Sequence, residues 1–215
     1  MNAAISSETG RWEAARFERA RSVLAAAFRD YPAVRALLPA GRRRAGALAW
    51  YVGFGVTYCL KYGEVYEAPT HDGVAAFLKP GPHFTYPRLL AAGLLLGPLR
   101  LGFRPFWRLM QNDTYIGTLR VKHALPGSWY IWFVGVAPAA QGHGVGGQLL
   151  RRVLGDADAA AAPCYLDTHH AANVPFYRAH GFEVVSEGHV PSSGLPYWAM
   201  SRPPATPAAS DRRAE

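Results

Sequence analysis

The stretch that most constrains this chain is Gln141-Gly142-His143-Gly144-Val145-Gly146-Gly147. It lies between an aromatic, β-branched run, Trp129 to Val136, and an apolar-periodic run reaching about Leu154. The first run reads as a strand and the second as a helix. Glycines at such a junction let the main chain approach a ligand closely, and amides at a helix start form a seat for an anion. A ligand carrying a pyrophosphate is the natural occupant. A flexible turn with nothing bound is the other reading of the same residues.

Two nucleotide folds compete for this pattern. Gly142, Gly144 and Gly147 fit GxGxxG, and Asp167 lies 20 residues beyond, as a dinucleotide fingerprint requires. In that fold the first glycine follows its strand almost directly, whereas Ala137-Pro138-Ala139-Ala140-Gln141 intervene here. The unit also starts after residue 128, which leaves too little chain for a doubly wound sheet. A P-loop fails because no Lys-Ser or Lys-Thr follows the glycines.

What the motif does match lies downstream. Val134-Gly135-Val136, Pro138 and Gln141-x-x-Gly144-x-Gly146 resemble the cofactor motif of the GNAT acetyltransferase superfamily. Asn173-Val174-Pro175-Phe176-Tyr177 followed by Gly181-Phe182 resembles its second signature. With Trp129-Tyr130-Ile131, Leu166-Asp167-Thr168 and Trp198-Ala199-Met200, residues 128 to 202 are most similar to the puromycin N-acetyltransferase branch. Asp30-Tyr31-Pro32 and the run from Gly73 to Pro80 match it more loosely.

The resemblance implies a GNAT fold of mixed α/β (α+β) class, with a central β-sheet splayed at the cofactor site and flanked by helices. It implies acetyl-CoA as co-substrate, with no metal. Amides of Gln141, Gly142, His143, Gly144, Val145, Gly146 and Gly147 would cradle the pyrophosphate. Val134, Gly135 and Val136 would offer backbone groups to the pantetheine as an added strand does, and one amide would polarise the thioester carbonyl. Asn173 would contact the cofactor, and Tyr177, one helical turn on, would protonate the leaving thiolate. A phenol of ordinary pKa ~10 can protonate a thiolate of the ~8.5 class in a dry site. Asp167 is the candidate proton acceptor for the amine, a hydrogen-bonded turn aspartate being the alternative. His169 and His170 are adjacent, so they face apart and make no metal pair; they read as loop residues.

The rest of the chain bounds the partners. A formal charge of +8 admits nucleic acid or an anionic membrane, yet the basic residues are mostly scattered and no nucleic-acid motif accompanies them. Ala45 to Leu60 and Leu89 to Leu99 are both shorter than the ~20 apolar residues of a spanning helix, so no membrane partner is expected. Cys59 and Cys164 form no disulfide framework, which favours a cytoplasmic setting. Residues 1–10 and the proline-bearing 203–215 read as unstructured ends of a single domain, 11–202, with its cofactor half at about 128–202.

Helices are expected over Trp12 to Phe28 and Arg42 to Tyr62, a hairpin over Glu64 to Lys79, and one or two helices over Tyr86 to Met110. Phe28, Tyr31, Trp50, Tyr51, Tyr58 and residues 86 to 110 make this half rich in aromatic and apolar side chains. It should bind the acceptor, a small and hydrophobic amine, in a monomer or homodimer. A protein N-terminal or lysine acetyltransferase, or a CoA-thioester binder without turnover, are the rival functions.

Overall fold

The computed structural model describes residues 2–205, with side chains from residue 13 onward. Three helices, α1 (Asn2–Ala27), α2 (Pro32–Leu37) and α3 (Arg43–Tyr62), precede the hairpin of β1 (Glu64–Glu67) and β2 (Gly73–Leu78). Next come α4 (Tyr86–Ala91), a single 3-10 turn over Leu94–Leu96, α5 (Gly97–Leu101) and α6 (Phe103–His123). The second half runs β3 (Trp129–Val136), α7 (Val145–Ala159), β4 (Cys164–Thr168), α8 (Asn173–Arg178), β5 (Glu183–His189) and β6 (Pro196–Arg202).

The sequence reading and the structure differ at identifiable places. The backbone of α1 begins at Asn2, inside the segment read as an unstructured lead. The first helix ends at Ala27, close to the expected Phe28, and Pro32 then opens a helix, α2, that was not expected, since proline suits a first helical turn. The apolar segment expected to end at Met110 is broken at Gly93 and Gly102, both with positive φ, and its last helix continues to His123. Of the tail, residues 206–215 lie outside the described residues. Ala205 is tied back, its N–H donating to Asp158 at 2.8 Å beside the bidentate Arg202–Asp158 pair.

The strands form one mixed sheet in the order β1-β2-β3-β4-β6-β5. All neighbours are antiparallel except β3 and β4. That parallel pair joins only at Trp129↔Cys164 and Tyr130↔Tyr165. Beyond Tyr130 the strands part, while β3 stays paired with β2 as far as Val136. A V-shaped gap therefore opens in the middle of the sheet, and one edge of β3 is left free within it.

A bulge sets what faces each side. Phe77 pairs with Ile131 and Ala76 with Phe133, so Trp132 is the extra residue. Trp132 and Phe133 consequently lie on the same side, their rings stacked at 5.2 Å, against the core shared with α1 and α3. Ile131 and Val134 lie on the opposite side, with α7 and α8. Each face of the sheet thus has its own core.

Gly135 is where α1 meets β3. A Cβ there would lie 2.8 Å from Leu24 Cδ2, 3.1 Å from Ala27 Cβ and 3.2 Å from Phe28 Cε2. We expect Gly135→Val to lower the melting temperature despite valine's preference for strands. Overpacking of this kind costs roughly 1–3 kcal/mol. In a chain of this length each kcal/mol shifts Tm by roughly 2–4 °C. Thermal unfolding of the variant checks it, and an unchanged Tm would mean that α1 does not pack this closely.

Candidate active site

The gap between β3 and β4 opens into a cavity of about 1590 Å³ that runs from the glycine-rich turn to the aromatic first half. Its walls include Val134, Gly135, Val136, Gln141, Gly142, Gly144, Val145, Gly146, Gly147, Asp167, Asn173 and Tyr177. The candidate site residues thus converge on one space, His143 excepted. His143 is exposed and donates from Nδ1 to the Gln141 carbonyl at 3.0 Å, so its side chain braces the turn.

The turn is built to leave amides open. Gln141 donates its side-chain amide to Val136 O at 3.0 Å, fixing the exit from β3. Gly142 and Gly144 have φ of 82° and 81°, and no atom lies within 4 Å of where a Cβ would stand on either. Gly144 provides no side-chain cap for α7, whose first turn closes with Gln148 N–H to Gly144 O at 3.0 Å. The N–H groups of Val145, Gly146 and Gly147 precede that bond and have no helical partner. With the dipole of a 15-residue helix behind them, they fit an anionic group. Gly135 lines the cavity while the side on which a Cβ would stand faces α1.

At the end of β4, hydrogen bonds tie the two halves together. Thr168 Oγ1 accepts from Asn173 Nδ2 at 3.1 Å and from His170 N–H at 3.3 Å, which uses both its lone pairs. Its own hydrogen then goes to the Tyr31 oxygen, 3.0 Å away, which also accepts from His169 N–H at 2.6 Å. By this count the Tyr31 O–H is left to donate into the cavity that the residue lines. Burial pushes this phenol up to about 12, keeping its proton in place. Tyr177, buried on α8, is likewise raised by desolvation and by the nearby Tyr31 and Asp167.

His169 is a loop residue, as its sequence suggests, but not an exposed one. It does follow β4, but its ring is buried and donates from Nδ1 to Pro196 O at 2.8 Å. Among the described residues no group of three or more His, Cys, Asp or Glu converges as a metal site.

Two aspartates face the cavity from opposite elements. Asp167 on β4 accepts from the Tyr130 hydroxyl at 3.0 Å. Desolvation raises its pKa, opposed by His169, the Tyr130 hydrogen bond and Arg120. Asp113 on α6 went unnoticed in the sequence. Its side chain is enclosed by protein though open to the cavity, and burial pushes it up to about 7, with Asp167 adding to the rise. The Arg120 guanidinium stacks over Phe84 and Tyr130 at 4.5 and 4.4 Å and moderates both acids. The signal for Asp113 lay in helical spacing. Leu109, Asn112, Ile116 and Leu119 form the buried stripe of α6, so Phe106, Met110 and Asp113 make the adjoining one. Reading the helix to end at Met110 hid it.

Known proteins resemble parts of this chain in sequence and most of it in fold. The sequence model of the acetyltransferase (GNAT) domain matches residues 102–184, from the start of α6 into β5. An uncharacterised N-acetyltransferase of Schizosaccharomyces pombe is 29% identical over 127 residues, 56% of this chain and 51% of that protein. The match therefore spans about half the length of that curated relative. A Corynebacterium glutamicum structure, described as histone acetyltransferase HPA2 and related acetyltransferase, superposes with a TM-score of 0.63 at 22% identity, covering 90% of this chain and 94% of that one. A Drosophila melanogaster polyamine N-acetyltransferase superposes with a TM-score of 0.58 at 12% identity, over 87% and 93% of the two chains. The fold is the GNAT fold. Residues 102–184, under half of the chain, are similar to that acetyltransferase domain.

The raised Asp113 makes stability depend on pH in a definite direction. Between the unfolded value near ~3.8 and about 7, the folded chain holds a proton that the unfolded chain has lost. Stability contributed by this group is therefore full below ~4 and is lost as the pH rises through about 7. We expect Asp113→Asn to raise the melting temperature at pH 8, by roughly 5 °C, and to change it little at pH 4. Thermal scans at the two pH values check this; a variant less stable at pH 8 would refute it.

Proposed function

We propose that this protein transfers an acetyl group from acetyl-CoA to the amine of a small, apolar acceptor. The observation that carries the reading is the continuity of one cavity, with open helix-start amides at one end and an aromatic chamber at the other. On this reading the amides of Val145, Gly146 and Gly147 hold the pyrophosphate. The free edge of β3 takes the pantetheine as an extra strand would be taken, through Val134 and Val136. Asn173, oriented by Thr168, borders that path. Acetyl-CoA supplies the activated acyl group when bound.

The acceptor chamber is walled by Phe28, Tyr51, Phe54, Phe84, Phe106 and Trp132. An amine enters such a space as an ammonium and must lose one proton before its nitrogen can attack. We assign that proton to the pair Asp113 and Asp167, which expands the sequence expectation of Asp167 alone. Burial keeps the proton affinity of both acids high, as a base working near neutral pH requires. Tyr177 holds the proton that the departing thiolate takes, and the proton released as the amide forms restores the phenol. The enclosed, aromatic chamber favours a compact apolar amine over an extended peptide, and the similarity of residues 128–202 to the puromycin N-acetyltransferase branch points the same way.

Tyr177→Phe should retain acetyl-CoA binding while turnover falls about 10²–10⁴-fold, the span for loss of a general acid. Calorimetric affinity and steady-state kinetics test it together; wild-type turnover would reduce the tyrosine to packing. Gly144→Val should abolish the rise in melting temperature that acetyl-CoA produces, because the ligand stabilises only a fold that can bind it. For the acceptor, kcat/KM is compared for spermidine, a lysine-rich peptide and an aminonucleoside at equal concentration. The aminonucleoside should be preferred, and a tenfold advantage for either of the others would overturn the chamber's assignment.

A further inference from the structure

From Gly73 to Asn112 the chain contains no aspartate or glutamate, and it carries Lys79, Arg88, Arg100, Arg104 and Arg108. Over the helical part of this segment large apolar side chains turn outward. Tyr86 is 81% exposed, Leu95 73%, Leu99 83%, Phe103 73% and Trp107 57%. Phe103 and Trp107 share a face of α6, being four apart, and Arg104 and Arg108 form the adjoining stripe. Arg100 precedes them on α5, which packs on both α3 and α6. Arg100, Arg104 and Arg108 are exposed, and none takes part in an ion pair with the described residues.

A patch this apolar is rarely left to water in a monomer. Its chemistry names the occupant. Leucine, phenylalanine, tryptophan and tyrosine flanked by unpaired arginines, with no acid among them, match a surface that is apolar beneath and anionic on top. No helix among the described residues is long and apolar enough to cross a membrane, and length was also the ground on which the sequence was read as having no membrane partner. Lying on a membrane requires only a one-sided face.

We propose that the face formed by α4, the Leu94–Leu96 turn, α5 and the first turns of α6 docks on the surface of an anionic lipid bilayer. The inserted groups are Leu95, Leu99, Phe103 and Trp107, and the headgroup contacts are Arg100, Arg104 and Arg108. This inference goes beyond the acetyl-transfer reading and does not rest on it. The two meet at one place: Tyr86 and Trp107 also line the cavity, so its acceptor end opens beside the docking face.

The test is co-sedimentation of the full chain with phosphatidylcholine vesicles, with and without phosphatidylglycerol, at low and high salt. Binding should require phosphatidylglycerol and weaken in high salt, where exposed charges are screened. Replacing Arg100, Arg104 and Arg108 together with glutamine should lower the partition coefficient about 10²-fold. The pair Phe103→Ser and Trp107→Ser should lower it at least about tenfold. The glutamine variant should keep the wild-type melting temperature, because its three altered side chains sit in solvent. Absence of binding, equal binding to phosphatidylcholine alone, or a triple variant that partitions like wild type would each overturn the proposal. So would light scattering that shows a dimer dispersed by the serine pair, which would assign the face to a second copy of the chain.

Discussion

Everything chemical in this molecule depends on β3 and β4 ceasing to pair after Tyr130. A parallel pair that continued to Val136 would close the sheet, satisfy the edge of β3 and leave no space between the halves. Parting leaves main-chain donors and acceptors without sheet partners, a cost that a buried strand does not ordinarily bear. The neighbours make it tolerable. β2 holds the other edge of β3 along its length, and α1 presses on Gly135 from one face. The strand is kept straight by what lies on its far side, so its near side can stay open to a ligand.

The opening also explains the electrostatics. Asp113 and Asp167 reach the same space from α6 and β4. Each would be ionised at neutral pH in water, and enclosure raises both. The arginine nearby is engaged with two aromatic faces and offsets them only in part. The protein holds an acidic pair where a hydrophobic core would be more stable, and this conflict between local stability and chemistry is characteristic of working sites.

Much of this was legible in the sequence. The glycine run and the Asn173–Tyr177 segment carry their geometry locally: main-chain conformation at Gly142 and Gly144, a helix start without a cap, one helical turn between two side chains. Such features survive in a linear reading because they depend on neighbours a few positions away. The strand before the glycine run and the helix after it were recoverable for the same reason. What was hidden depends on distant packing. Asp113 acquires its character from walls supplied by β4 and the aromatic half, and by itself is an ordinary polar residue on a helix. His169 looks like a loop histidine until β6 supplies a carbonyl for its ring. Tyr31, read from the sequence as one of the aromatic side chains of the acceptor half, becomes a hydrogen donor once Thr168 has both lone pairs occupied.

The bulge at Trp132 has a consequence for how this architecture can change. In a regular strand the side on which a residue falls is fixed by whether its position is odd or even. One unpaired residue breaks that parity, so everything from Phe133 onward faces opposite to what counting from Trp129 would give. Phe133 owes its place in the aromatic chamber, and Gly135 its place under α1, to the length of the strand as much as to their own identities. A substitution along β3 leaves this parity in place, whereas losing a single residue would turn the strand's free edge inside out. The site is encoded here in a count, and drift in a protein lineage erodes counts by a different route, and less often, than it erodes letters.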